Sequence, residues 1–438
     1  MATLPPSKKA RKFHHKSRYG CLPCKQRKIK CDEKKPVCGN CAQRQIYCSL
    51  RYLEPATSRQ LTTTSNASNA PVHQIPAQTS HPGAGPPFCR SNTRDLELYV
   101  HFQAYTAASL AHQVPVGNLF RVEFPRLAAS FPFVGHGLLS IAYVHLAGLS
   151  RSTSGSLFTE AAFHVNQALP GYLETIKDIT EENSAALFGF AMFVVLFTFA
   201  DVNEECAVLL EAARIEPTKK AETIRGLAGN AARVAHSIHN ILGIFWRCQR
   251  WISSGPLAPA VQRYSAPMLS EPSMTWIRIE DGRLAMLRRL WEDDSSIPLS
   301  HSAALTDSLR CLRDTFAMVT QLTVLPPARH SRIDSPDMDL ARIHGQLSAG
   351  RLDDVPSVFT WYIRLSPEFI GMIEEGNAYA MVVLAHYAIV LDRACSDKWW
   401  MHQLPRHFVA MAELALGHYR RNWIEWPLLV VADDKRAE

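Results

Sequence analysis

The sequence predicts two unlike parts: a small domain organised around metal–thiolate bonds, then a large all-α domain. Three observations predict this. Six of the eleven cysteines fall in one short stretch, spaced C-x2-C-x6-C-x6-C-x2-C-x6-C. Positive charge gathers at the same end: residues 1–52 hold 14 Lys and Arg against Asp32 and Glu33, a net +12, whereas the 438-residue chain is +7, leaving −5 for the remainder. From Thr93 onward, apolar residues recur at helical spacing, Gly or Pro sits in most gaps and alternating strand patterns are missing.

The cysteines Cys21, Cys24, Cys31, Cys38, Cys41 and Cys48 form two near-copies of one half-site. Tetrahedral zinc takes four sulfurs, so two separate sites would need eight. Six are enough for two ions when two sulfurs bridge both metals, and the symmetric choice is the first cysteine of each half. That assigns Cys21, Cys24, Cys31 and Cys38 to one Zn2+, and Cys38, Cys41, Cys48 and Cys21 to the other. Three disulfides would require an oxidising compartment, and the opening MATLPPSKKARK contains no apolar signal segment. An iron–sulfur centre fits the regular half-site repeat poorly. Cys89, Cys206, Cys248, Cys311 and Cys395 are scattered and read as small buried hydrophobes.

Between the ligands, Cys24-Lys25-Gln26-Arg27-Lys28-Ile29-Lys30-Cys31 puts four cations into six positions. A short helix held by metal at both ends would carry Lys25, Arg27 and Lys28 on an outward arc and leave Ile29 to pack against the second half. Basicity this local is the electrostatic footprint of a nucleic-acid-binding module rather than of a generally basic protein.

The segment GCLPCKQRKIKCDEKKPVCGNCAQRQIYC resembles the fungal binuclear zinc cluster family of transcription factors. The resemblance implies a sequence-specific factor that acts in the nucleus, binds double-stranded DNA at CGG-like triplets and works through the transcription machinery or co-regulators. It makes Lys28 the base-reading lysine and turns Arg27, Lys25 and Lys30 towards phosphates. A lysine donating to guanine N7 and O6 is sound groove chemistry in its own right. Pro36 matches the family's loop proline, whose fixed φ stiffens the turn that joins Lys34 and Lys35 to Cys38. The second half is less basic and offers Arg44 to the DNA backbone. The candidate DNA-binding set is therefore Lys25, Arg27, Lys28, Lys30, Lys34 and Arg44.

In chain order, residues 1–20 form a basic tail, 21–48 the zinc-cluster domain, 49–92 a flexible linker and 93–438 the all-α domain. The linker is rich in Ser, Thr, Pro, Asn and Gly without periodic apolar spacing, too polar to offset its ordering entropy. It has no sustained heptads. Family members that dimerise on paired triplets do so through a coiled coil here, so self-association, if any, falls to the helical domain.

Thr93 offers a cap, and Leu96, Tyr99, Phe102, Ala107 and Leu110 then recur at helical spacing. Helices are expected over 118–130 and 134–149, split at Phe131-Pro132, and over 156–175, broken at Pro170-Gly171. Others follow over 181–201, 204–213, 219–250, 279–292, 300–323, 334–348, 357–375, 377–393 and 403–423. The run Ala185–Ala200 holds 16 apolar or small residues. That is short of the roughly 18 of a membrane-span candidate, and acidic flanks give it no basic anchor, so it reads as a central core helix.

LELYVHFQAYTAASLAH, VEFPRLAASFPFVGHGLLSIAYVHLAGL, GNAYAMVVLAHYAIVLDRACSDKWW and NWIEWP resemble the helical regulatory domain of regulators similar to the sterol uptake control proteins. The whole then reads as a small binuclear zinc-cluster domain plus a large all-α regulatory domain. The resemblance implies an activator of a metabolic or secondary-metabolite gene set, with a repressor or a sterol- or lipid-responsive regulator as the alternative, and makes a small lipophilic effector a candidate partner. An enzyme has little support: HExxH, GxSxG, GxGxxG and P-loop motifs do not occur. His136, His145 and His386 lie among apolar residues and read as satisfied core or helix-end histidines, and Trp399, Trp400, Trp423 and Trp426 as packing between the last helices.

Overall fold

The computed structural model describes residues 24, 27–34, 38–44, 93–111, 114–149, 154–262, 268–325, 340–395 and 398–431. The expected basic tail and linker lie outside the described residues, as do Cys21, Lys25, Pro36 and Cys48. The chain divides into two compact units, Met1–His81 and Pro82–Glu438.

The first unit is built on sulfur. Its buried cluster consists of Cys24, Cys31, Cys38 and Cys41, and among the described residues no apolar side chain is buried with them. One short helix, Gly39–Ala42, follows Cys38.

The second unit is almost entirely helical. It opens with Thr93–His101, continues through a wider π-helical turn at Phe102–Thr106 and ends its first stretch at Ala107–Leu110. Phe102, Ala107 and Leu110 are buried as the spacing predicts, but Leu96 is 59% exposed and Leu98 occupies the core instead. The next stretch runs from Val114 to Ser130 through a second π turn, Leu119–Glu123. Phe131 then adopts an extended conformation and Pro132 opens the helix Pro132–Leu149, a break at the expected place.

Two expected breaks are absent. Ser154–Thr175 runs straight through Pro170. A proline in a helix interior removes one backbone hydrogen bond, and packing beyond it holds the helix on course: Tyr172 meets the rings of Phe133 and Phe190 at 5.8 and 4.9 Å. The segments expected at 181–201 and 204–213 are one 35-residue helix, Glu181–Ile215. Its start is set by a reciprocal cap, in which Thr180 Oγ1 accepts from Asn183 N and Asn183 Oδ1 accepts from Thr180 N. Glu181 and Glu182 add negative charge at the positive end of the helix dipole.

This helix packs on Lys220–Ser254. Arg233 joins the pair from the side, donating to Glu205 Oε2 at 2.6 Å and to Asp201. Pro132–Leu149 and Glu181–Ile215 are both long and apolar enough to cross a membrane; 72% and 61% of their most apolar windows are buried inside the unit. Burial in the core accounts for their composition. Phe120 and Phe124 of the Val114–Ser130 stretch meet Phe193 of Glu181–Ile215 edge to face.

Further along come Glu271–Met286, Leu299–Leu322 and Leu340–Ser348. The region expected as one helix over 357–375 is three pieces, Val355–Phe359, Thr360–Ile363 and Pro367–Glu374. The last is restarted by Ser366, whose Oγ accepts from Phe369 N, with Pro367 in the first helical position. The 403–423 segment likewise ends its α-helix at Leu416, because Gly417 takes φ +65, and continues as a 3-10 helix, His418–Ile424. Strands are not wholly missing: Thr323 pairs with Leu352 and Val324 with Arg351 in a two-residue antiparallel ladder.

Ala378–Cys395 is the centre of the unit, with every residue from Ala380 to Val390 buried. It packs against Leu404–Leu416. Near its end, Arg393 and Glu280 form an ion pair with both side chains 1% exposed. Thr320 Oγ1 donates to the second oxygen of Glu280.

Candidate metal centre and nucleic-acid interface

Four of the six predicted ligands are described, and the fold brings them together. Cys24, Cys38 and Cys41 are fully buried and Cys31 is 2% exposed. The ligand atoms of Cys24, Cys38 and Cys41 lie within 4.8 Å of one another, as do those of Cys31, Asp32 and Cys38. Cys38 is common to both groups. Cys24 Sγ and Cys38 Sγ stand 3.7 Å apart. Two thiolates on one tetrahedral zinc, with Zn–S about 2.3 Å, stand about 3.8 Å apart, so this separation is that of two ligands to one ion.

These residues fit a zinc-binding module. Among the described residues, the four buried thiols have no buried apolar side chain beside them and supply little hydrophobic stabilisation, and a core of that kind is held by metal. Glu33 N–H points at Cys31 Sγ at 3.4 Å, an orientation that favours the thiolate. Cys24, Cys31, Cys38 and Cys41 would be among the residues that hold the metal, which supplies rigid tetrahedral cross-links when bound.

Two contacts tie the halves together that spacing alone did not reveal. Gly39 N–H donates to both oxygens of Asp32, at 3.0 Å each. Asn40 Nδ2 donates to the Lys30 carbonyl at 2.7 Å. Both anchor the Gly39–Ala42 helix to the residues flanking Cys31.

The local geometry corrects the expected recognition helix. Cys24 is helical, Arg27 and Lys28 form a turn, and Lys28 takes φ +55, so the helix does not extend to Cys31. Ile29 N–H closes back on the Cys24 carbonyl at 3.1 Å. Beyond this left-handed residue Ile29 leaves the helical path and is 37% exposed. Lys28, Lys30, Lys34 and Arg44 are exposed, while Arg27 is half-buried with Nη1 turned inward. Lys25 and the bridging partner Cys21 lie outside the described residues.

In the helical unit the remaining candidates are structural. His136 Nδ1 meets His164 Nδ1 at 3.0 Å, and His145 Nδ1 lies 3.0 Å from Thr106 Oγ1 and 3.2 Å from His101 Nε2. His386 Nδ1–H donates to the Val382 carbonyl at 2.8 Å. Burial pulls the pKa of His386 down to about 4, and burial followed by the nearby His101 does the same for His145. Trp399 donates to Ser109 Oγ, Trp400 and Trp426 pack against Phe199 and Phe316, and Trp423 stacks on Tyr379. Cys206, Cys248 and Cys311 are buried, and burial raises the Cys206 thiol to about 12. Cys89 and the Cys395 side chain lie outside the described residues.

A thiolate-held zinc-binding module that displays lysines and is followed by a helical unit defines a class of DNA-binding regulators. Residues 19–57 match the fungal Zn(2)-Cys(6) binuclear cluster domain. The chain carries that domain, a DNA-binding module rather than a catalytic one, and is homologous to Zn(2)-C6 transcription factors and to sterol-uptake-control-like regulators. It is 28% identical to the Zn(2)-C6 fungal-type transcription factor afumD of Aspergillus fumigatus over 200 residues, covering 45% of this chain and 50% of the relative. It is 26% identical to a Zn(2)-C6 fungal-type transcription factor of Gibberella zeae over 231 residues, 42% of this chain and 46% of the relative. A shorter match, 46% identity over 59 residues, links it to sterol uptake control protein 2 of Candida albicans, covering 14% of this chain and 8% of the relative. The chain thus spans half or less of the length of these relatives.

Proposed function

We propose that this chain is a nuclear, sequence-specific DNA-binding transcription factor that reads a CGG-like triplet through a cluster of two zinc ions sharing Cys21 and Cys38. The observation that carries the reading is a core of buried thiols, with Cys38 common to both ligand groups, from which Lys28, Lys30, Lys34 and Arg44 project into solvent. In this reading Lys28 contacts the base edges, and Lys25, Arg27, Lys30, Lys34 and Arg44 contact phosphates and position the module. Residues 1–20 and 49–92 flank the module as tail and linker, and the helical domain from 93 engages the transcription machinery or a co-regulator. In this reading the chain activates a metabolic or secondary-metabolite gene set rather than repressing it; in support of activation, one relative, matched at 64% identity over 33 residues, is named transcription activator AMTR1 of Alternaria alternata.

The test is a pair of titrations, triplet duplex and scrambled duplex, at several salt concentrations. A base contact separates right from wrong sequence by about 1–3 kcal/mol. A phosphate contact acts on all sequences and fades with salt. Lys28→Ala flattens the triplet preference; Arg27→Ala weakens both duplexes and lowers the slope of log K against log salt by about 0.9. Equal weakening of both duplexes by Lys28→Ala, with their ratio preserved, would move base reading elsewhere in residues 25–30.

A further inference from the structure

The helix Lys220–Ser254 ends in Phe245-Trp246-Arg247-Cys248-Gln249-Arg250-Trp251. Leu242, Trp246 and Arg250 are four residues apart and so lie along one stripe of that helix. Leu242 lines a cavity of about 170 Å³, open on one side, with Phe188, Ile241, Phe245 and Val261 among its apolar walls and Gln262 and Asp354 among its polar ones. Phe245 links this cavity to the surface, its ring 5.9 Å from Phe188 on the inner side and 5.3 Å from Trp246 on the outer. Trp246 is 63% exposed. One turn further, Arg250 is exposed with its guanidinium 4.2 Å from the Trp251 ring centre, and Arg247 is exposed beside it.

The size of the cavity decides what enters it. Sites for metabolite-sized ligands run to roughly 300–1,000 Å³, whereas a cavity of about 150 Å³ takes one benzene-sized group. This one therefore suits a single large apolar side chain. Exposed Trp and Arg beside it are the residue types that dominate protein–protein binding energy, and two exposed arginines side by side favour acids on the other side. We propose that this stripe is a docking groove for an acidic amphipathic helix of a partner protein. One Leu or Phe of the partner enters the cavity, its neighbour packs on Trp246, and carboxylates one to two turns along meet Arg250 and Arg247, the helix-in-groove mode. This inference is independent of the DNA reading.

The probe is a short fluorescent peptide with Leu and Phe at helical spacing and Glu between them, titrated by anisotropy into the full chain. Its control has Lys in place of Glu. The acidic peptide binds and the control does not. Trp246→Ala and Arg250→Glu each weaken binding about tenfold, and the double charge change Arg247→Glu with Arg250→Glu transfers preference to the Lys peptide. Trp246 and both arginines are exposed, so these variants retain the fold. The groove is overturned by absent binding, by equal binding of both peptides, or by preference for anionic vesicles over the peptide. It is equally overturned by binding that neither substitution changes, which would assign the acid affinity to the basic N-terminal module.

Discussion

Asp32, the residue after Cys31, holds the backbone N–H of Gly39, the residue after Cys38, on both of its carboxylate oxygens. The carboxylate caps the first turn of the Gly39–Ala42 helix, where N–H groups have no partner within the helix. A Cβ at position 39 would stand 2.7 Å from Asp32 Oδ2, so any other residue there must push the carboxylate aside. Asp32→Ala and Gly39→Ala are each expected to destabilise the metal-bound module by about 1 kcal/mol, the usual size of a lost cap. The measurement is the rate of zinc loss to a chromophoric chelator. Both changes break one contact, so the double variant is little worse than either single one.

Zinc content tests the shared-thiolate arrangement directly. Elemental analysis of the folded chain is expected to return two zinc ions, and chelation to unfold the cysteine module while leaving the helical signal of the second unit largely in place. Cys38→Ala removes the sulfur common to both ligand groups and is expected to lower zinc content towards zero. One ion per folded chain is the result that sinks the arrangement.

The cluster was legible because ligand spacing is local and zinc chemistry counts sulfurs. The Asp32–Gly39 clamp was not, because it joins backbone to side chain across seven residues, and nothing in the spacing says which acid reaches which amide. Lys28 shows a second limit: a lysine between two cysteines reads as one more helical cation, yet its left-handed backbone ends the helix. In the second unit the apolar period located nearly every helix but misjudged their ends. Pro170 looked like a break, and packing of Tyr172 overrides it. Ser366-Pro367 carried a start signal inside a run whose apolar period continues across it, so periodicity alone joined separate helices.

The Arg393–Glu280 pair lies where nothing replaces a lost partner. Removing one side of a buried pair leaves an uncompensated charge, at about 3–5 kcal/mol. Glu280→Leu or Arg393→Met alone is expected to cost that much in chemical denaturation, with the two together markedly less damaging than the sum. Additive losses would show that the pair is not coupled.

His386 makes the stability of the helical unit depend on pH. Its folded pKa is about 4 against about 6.5 for an unperturbed histidine. Between these values the unfolded chain binds the extra proton, so stability rises with pH through this window. The stability contributed by neutral burial is fully present above about pH 6.5 and is lost as pH falls towards about 4, on the order of 3 kcal/mol in all. Denaturant midpoints measured from pH 7 to pH 5 should fall less steeply for His386→Gln than for the unsubstituted chain. Parallel profiles would show that His386 does not carry this dependence.

Lys28 invites a sharper test than alanine alone, because its backbone and its side chain point to different roles. At φ +55 an L-residue is strained, by roughly 1–2 kcal/mol, and glycine is not. Lys28→Gly removes the side chain and relieves the backbone; Lys28→Ala removes the side chain and keeps the strain. If the ammonium reads guanine, both variants lose triplet preference to the same extent, about 1–3 kcal/mol, although the glycine module is the more stable and releases zinc more slowly. If the residue mattered only for its turn, glycine would preserve the preference. Competition titrations against triplet and scrambled duplexes, run beside zinc-release rates on the same two variants, separate the contact from the conformation.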